Sequence, residues 1–142
     1  MRPSLVIPRL RAACPIFANR VAGAADFSAA ATADDVVVPC AFVIPAGDSV
    51  DENDIIGGGL VQEVVDRFAV IVCVSNTTNE RGQDGMEQLF DIRDELLSAL
   101  VGWSPDADHG LVNYAGADGD PTLDRARIWH GFDFFARTTV LA

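Results

Sequence analysis

Three cysteines, two histidines and several clusters of acids are the groups in this chain that could do chemistry. Cys14, Cys40 and Cys73 show no C-x-x-C spacing, and His109 and His130 lie well apart in sequence. A structural zinc site gathers four such ligands, usually in short paired spacings, so no metal is expected. Asp118 and Asp120 at alternate positions invite calcium, but their loop is too short for an EF-hand. It also lacks the terminal Glu and has its glycines in the wrong places. Gly57-Gly58-Gly59 is followed by no Lys-Ser/Thr pair and preceded by acids, which favours a hairpin tip over a phosphate cradle. Ser, His and Asp all occur, yet there is no G-x-S-x-G, no H-E-x-x-H and no P-loop. No catalytic residue, cofactor or metal ligand is therefore expected. An enzyme whose site is assembled from distant residues stays as an alternative.

The bulk properties narrow the class. A chain of 142 residues with 49% hydrophobic content is sized for one domain with a real core, spanning 1–142. Its net charge is 10 − 21 = −11 and its pI is near 4.3. Such a surface repels phosphate backbones and anionic membranes, so neither nucleic acid held by a basic patch nor a membrane is expected as partner. No segment is long and apolar enough to span a bilayer. Residues 1–14 briefly mimic a signal peptide, but Pro8, Arg9 and Arg11 break the apolar run, and export is not expected. Cys73, inside an apolar run, is most simply a small buried hydrophobe, and reduced, cytoplasmic cysteines are the economical expectation.

The elements centre on 68–103. Phe68 to Val74 is apolar on both faces, as in a central strand covered from both sides or by a neighbouring subunit. A polar loop leads to an amphipathic helix over 86–101, with Asp84 and Glu87 as a capping box and Gly102 and Pro105 as the stop. Met86, Leu89, Arg93, Leu96 and Leu100 keep helical spacing, Phe90 and Leu97 widen the stripe, and Asp91, Asp94 and Glu95 take the solvent side. The strand extends back to Leu60, and 15 residues would reach about 50 Å, so Asp66-Arg67 is expected to mark a bend or bulge, unless an arm leaves the sheet. A short N-terminal helix starts at a Ser4 cap, residues 24–30 make a helical turn, and a strand covers 36–45. Residues 47–59 read as a turn-rich acidic loop. A second long strand, 125–141, alternates Ile128, His130, Phe132, Phe134 and Ala136 against Arg127, Trp129, Asp133, Phe135 and Arg137. His130 in that row reads as half-buried and hydrogen-bonded. The mixed face with Arg127, Trp129, Phe135 and Arg137 fits a subunit interface, or a second helix packing over it. The expected class is α+β: a single domain with a mainly antiparallel, mixed sheet packed by one central amphipathic helix and a short N-terminal helix.

The order of pieces carries a resemblance. Cys14-Pro15, Val21 to Asp26, the 41–45 strand, Arg67 to Val72, Arg81-Gly82, Leu89 to Leu96 and the exit Ala99-Leu100-Val101-Gly102-Trp103-Ser104-Pro105 come in sequence, followed by the Trp129 to Phe135 strand. The chain resembles the tail terminator proteins of long-tailed bacteriophages, also called tail completion or tail-to-head joining proteins. The resemblance covers nearly the whole chain. It implies a structural virion subunit that forms a ring, usually hexameric, on the head-proximal end of the tail tube. That ring would end tube polymerisation and join tail to head. Implied partners are further copies of the chain, the tail tube protein and head-completion or neck proteins, with DNA passing through the lumen without sequence-specific binding. The implied location is the virion tail, with host cytoplasm during assembly. Within that picture, Asn76, Thr77 and Arg81 in the polar loop join Trp129, Phe135, Arg127 and Arg137 as candidate oligomer or tube contacts. Asp48, Asp51, Glu52, Asp54, Asp106, Asp108, Asp118 and Asp120 are candidates for an acidic lumen; plain solubility charge is the alternative for each loop. Another neck or head-tail connector component, or from a different class a small cytoplasmic ligand-binding domain or enzyme, remains the competing assignment.

Overall fold

The computed structural model of the protein describes residues 1–56, 59–76, 83–117, 119–124 and 126–141, with 51–56 and 83–84 at backbone level only. Among these, three α-helices accompany a six-stranded sheet. Helix α1 spans Pro3–Ala13, followed by a 3-10 turn at Pro15–Phe17, strand β1 at Val21–Ala22 and helix α2 at Ala24–Thr32. The long strands β2 (Cys40–Ile56) and β3 (Gly59–Ser75) come next, then helix α3 (Gln83–Leu100). Short strands β4 (Asn113–Gly116) and β5 (Thr122–Asp124) precede β6 (Arg127–Leu141). The sheet order is β1-β2-β3-β6-β4, with β5 also on β6. Among the described residues, only β1 runs parallel to its neighbour; the other pairings are antiparallel. The expected α+β class with a mixed sheet is what the chain adopts.

Alternation along β3 decides the two faces. Phe68, Val70, Val72 and Val74 are fully buried beneath α1 and α3, in one core with Val6, Leu10, Ile92, Leu96 and Leu100. Cys73 points the other way, into a smaller cluster with Cys40, Phe42 and Trp129 that α2 covers through Phe27 and Ala30. The helix at residues 24–32 is thus longer than the single turn expected there, and it supplies the second layer. Its alanines give it helical propensity, but none of its residues is fully buried.

Several local expectations need correction. Arg2, not Ser4, is the N-cap of α1, because Pro3 already occupies the first helical turn, where a missing N–H costs nothing. The helix α3 already includes Gln83, so Asp84 is a first-turn residue and not a cap. Its buried stripe is Leu89, Ile92, Leu96, Ala99 and Leu100, while Phe90 is 56% exposed and Arg93 lies half-buried over Tyr114 at 5.8 Å. The helix approaches the sheet closely at Gly85. A Cβ there would sit 2.5 Å from the Ser75 carbonyl oxygen and 2.7 Å from Ile128 Cδ1, so glycine lets the first turn press onto the sheet.

The largest correction concerns residues 47–56. Instead of a loop, they continue β2, paired from Asp48↔Asp66 to Ile56↔Gly59. The irregularity expected at Asp66-Arg67 lies on the partner strand: Ala46 and Gly47 together oppose Arg67, one residue in excess, with Gly47 at φ +82°. Glycine suits such a bulge because L side chains avoid that region. Against β6, β3 pairs without a break from Val61↔Leu141 to Ser75↔Arg127.

The chain has no lysine and ten arginines, and four of them tie elements together. Arg9 Nε donates to the Ala99 carbonyl in the last turn of α3 at 3.0 Å, with its guanidinium 5.6 Å from the Trp103 ring. Arg11 Nη2 donates to Val21 O at 2.7 Å and Arg20 Nε to Pro39 O at 3.0 Å. Arg127 Nη2 donates to Ala33 O at 2.8 Å, closing the end of α2. Carbonyls at helix ends lack intrahelical partners, and a cation is favoured there.

Candidate assembly surfaces

The hydrophobic core stops at Val65 and Ala136, whereas three strands run on to Ile56, Gly59 and Leu141. From Asp66 to Gly59 this is roughly 23 Å of additional sheet at the usual strand rise. Beyond the core, Val50, Val64 and Thr138 stand side by side in register, with Val140 next to them on the same face. Val50 is 53%, Val140 45% and Leu141 75% exposed. The opposite face is screened near its root. Arg137 Nε pairs with Glu63 Oε1 at 3.0 Å and its guanidinium lies 5.1 Å from the Phe135 ring, while Arg67 Nη1 donates to Ser49 Oγ at 2.8 Å. These groups cover Val65. As an ion pair between half-exposed groups, Arg137–Glu63 adds little stability of its own.

The outer edge of β2 is open. Strand β1 pairs with it only at Ala41 and Phe42, leaving the edge from Val43 to Ile56 unpaired among the described residues. Pro45, the shift at Ala46–Gly47, a second shift between Val50 and Glu52, and the acids Asp48, Asp51, Glu52 and Asp54 all fall along it. Charge, proline and bulges are the features that keep an edge from pairing indiscriminately.

At the root of this arm is an ionic cluster that sequence spacing could not reveal. His109 Nε2 lies 3.0 Å from Asp66 Oδ2, and Nδ1 lies 2.8 Å from Asp106 Oδ1. Asp66 Oδ1 also accepts from the Met1 α-amino group. The backbone of His109 bridges to Thr138 of β6, and Gly110 N–H donates to the Arg137 carbonyl at 2.8 Å. Burial by itself would lower the His109 pKa, but hydrogen bonds to Asp106 and Asp66 outweigh it and hold the imidazole above its ordinary value. Asp106 is held below its ordinary value, first by its hydrogen bond to His109. The His109 contribution is full below about pH 6.5 and is lost as pH rises through its folded pKa; the Asp106 contribution is full above about pH 4 and lost on acidification. Thermal melts from pH 5 to 9 should show wild-type stability falling on the alkaline side, with that limb flattened in His109→Ala. The substitution should cost roughly 1.5–3 kcal/mol at pH 6, the worth of hydrogen bonds to charged groups. Parallel profiles for the two proteins would show that the clamp does not act.

The sequence-predicted contacts separate into groups. Trp129 is 9% exposed, edge-on to Phe27 at 5.8 Å and stacked on Phe42 at 6.2 Å; Arg127 is 6% exposed. Helix α2 covers both, so neither offers free contact surface: their own chain already supplies the apolar cover a partner would give. Phe135 and Arg137, on the same strand face, remain accessible near the arm root. Asn76 is half-buried with its N–H on the Ala126 carbonyl at 2.7 Å, while Thr77 and Arg81 lie outside the described residues. Among the acids, Asp48, Asp106 and Asp108 gather with Asp66 and His109 around a surface cavity of about 680 Å³. Asp51, Glu52 and Asp54 follow along β2, and Asp118 lies outside the described residues. Asp120 is elsewhere, lining a groove of about 320 Å³ with His130, Phe90 and Tyr114. His130 is half-buried against the Phe132 ring at 5.0 Å, and burial lowers its pKa.

A sheet that outruns its own core, with exposed apolar residues and an open edge, has the build of an assembling structural subunit. The family model for the phage tail terminator protein matches residues 1–140, and the chain belongs to that family. It is thus a phage tail structural protein. No curated protein sequence gives a significant match. Among solved structures, 13 chains match. One comes from a structure described as the virion of the native gene transfer agent (GTA) particle, with a TM-score of 0.53 and 15% identity over 95% of this chain and 92% of that one. At that identity the likeness speaks for the fold. No helix among the described residues is long and apolar enough to cross a membrane.

Proposed function

We propose that copies of this subunit form a ring, six-membered in the simplest case, that caps the head-proximal end of the tail tube. The arm formed by the outer parts of β2, β3 and β6 carries this reading, because Val50, Val140 and Leu141 stand exposed on it beyond the end of the core. One ring face would copy the docking surface of the tube protein and the other would refuse a further tube ring, which ends polymerisation and leaves a platform for head-completion proteins. DNA would traverse the lumen. A net charge of −11 suits a passage through which a polyanion slides without adhering.

The test combines mass photometry with electron microscopy of the protein alone and mixed with tail tubes. Rings that grow with concentration and sit at one tube end are expected; a strict monomer that leaves tubes growing would sink the proposal. The double variant Val140→Glu/Leu141→Glu changes exposed side chains, so monomer stability should shift by no more than about 0.5 kcal/mol. Its assembly should weaken about 100-fold, on the order of 3 kcal/mol. Rings of unchanged affinity would remove the arm from the interface.

A further inference from the structure

Cys40 and Cys73 are direct register partners across the antiparallel β2–β3 pair, and both are free thiols. Directly opposed residues in such a ladder have Cα atoms about 4.5 or 5.5 Å apart, and either spacing falls inside the window a disulfide accepts. The two side chains share one face and one small apolar cluster with Phe42 and Trp129. We propose that Cys40 and Cys73 are a modification site: a dithiol that a small-molecule disulfide converts into a cross-strand bond joining β2 to β3.

The surroundings assign the roles. Cys73 hydrogen-bonds to Cys40, and this, against the opposing effect of burial, lowers the Cys40 pKa; the positive charges of Arg20 and Arg127 add to it. The same hydrogen bond, burial and the Cys40 charge push Cys73 up. Cys40, on β2 and 4% exposed, is the more reachable of the two, whereas Cys73 on the central strand β3 is fully buried; Cys40 is therefore the attacking thiolate and Cys73 the resolving thiol. In the first step Cys40 Sγ attacks one sulfur of the small disulfide, forming a mixed disulfide and releasing one thiolate, which takes the Cys40 proton. Cys73, losing its own proton, then attacks Cys40 Sγ and expels the second thiol. Two cysteine thiols are oxidised and one disulfide is reduced to two thiols.

Access runs through α2. That helix buries none of its nine residues fully and rests on the sheet through Phe27, Ala30 and the Arg127–Ala33 hydrogen bond. A cover so thinly packed opens locally at a modest cost compared with global unfolding. Cys14 is the internal control. It is buried in the other core with its thiol toward the Glu95 carbonyl, and burial first, then the Glu95 charge, pushes it up to about 11.

The folded full-length protein should be incubated with oxidised glutathione and measured by intact mass and peptide mapping. Two of the three thiols should disappear with a net loss of two hydrogens and no retained glutathione, the map should join Cys40 to Cys73, and dithiothreitol should restore the mass. Cys14→Ser should behave like wild type, and Cys73→Ser should stop at a glutathione adduct on Cys40. The oxidised protein should melt several degrees higher, since the bond closes a long loop in the unfolded chain. Retention of all three thiols, a stable adduct on wild-type Cys40, or a link through Cys14 would each overturn the proposal. The wild-type mass measurement decides the matter even if a cysteine variant fails to fold.

Discussion

Replacing Leu96 with aspartate is expected to leave no folded protein. Leu96 is fully buried in α3, within the core closed by Val6, Leu10 and the inward row of β3. Losing the leucine contacts alone costs about 2–5 kcal/mol, as a Leu96→Ala control should show in urea unfolding. Aspartate adds the cost of an unpaired charge in an apolar site, several kcal/mol more, or forces the helix off the sheet. Since small domains are stable by only about 5–15 kcal/mol, the sum consumes most or all of it. Aggregation on expression, or loss of the cooperative melt by circular dichroism, is the expected readout. A soluble protein with an unchanged melting profile would refute the placement of Leu96 at the centre of the core.

Phe134→Ala should cause the next largest loss. Phe134 is 1% exposed and is the register partner of both Phe68 and Tyr114. Its ring stacks on Phe68 at 5.4 Å and 15° and meets Tyr114 at 5.3 Å. Truncating a buried phenylalanine costs about 3–5 kcal/mol, within which each aromatic pair supplies roughly 0.5–1.5. For a chain of this length the melting temperature should fall by on the order of 10–20 °C. Because Ala136, where the core ends, is two residues further along, the arm root should loosen as well, with faster hydrogen exchange at Val64 to Asp66. A fall of only one or two degrees would mean that the neighbouring rings close the gap.

Much of this architecture is legible in the sequence because periodicity survives folding. The alternation of Ile128, Phe132, Phe134 and Ala136 gives β6 its inward face directly, and Leu89, Leu96 and Leu100 give α3. Phe90 and Ile92 show where that logic fails. Both are large and apolar, and a stripe drawn through Arg93 and widened by Phe90 passes over Ile92; the fold buries Ile92, three residues after Leu89 and four before Leu96, and leaves Phe90 56% exposed. Residues 47–56 look like a loop because Gly, Asp and Asn are poor strand formers. They become a strand because Val64 and Val65 of β3 sit opposite Val50 and Ser49, and tertiary pairing overrides local propensity. Trp129 and Arg127 could have faced a partner or a helix, and the short alanine-rich segment at 24–32 gave too weak a pattern to decide. The His109–Asp66 contact joins residues 43 positions apart, which no local pattern encodes.

Strand order also sets a sequence of events. Strands β2 and β3 are neighbours in the chain and can pair as a hairpin early, whereas β3 meets its other partner only after α3, β4 and β5 have been made. Until β6 arrives, β3 presents a hydrophobic, unpaired edge from Val61 to Ser75. Non-local antiparallel pairing of this kind is slow and leaves such an edge open to the wrong chain. During synthesis, then, the subunit stays adhesive until residues around Leu141 leave the ribosome, and shortening β6 should show up as poor folding yield before it shows up as poor capping.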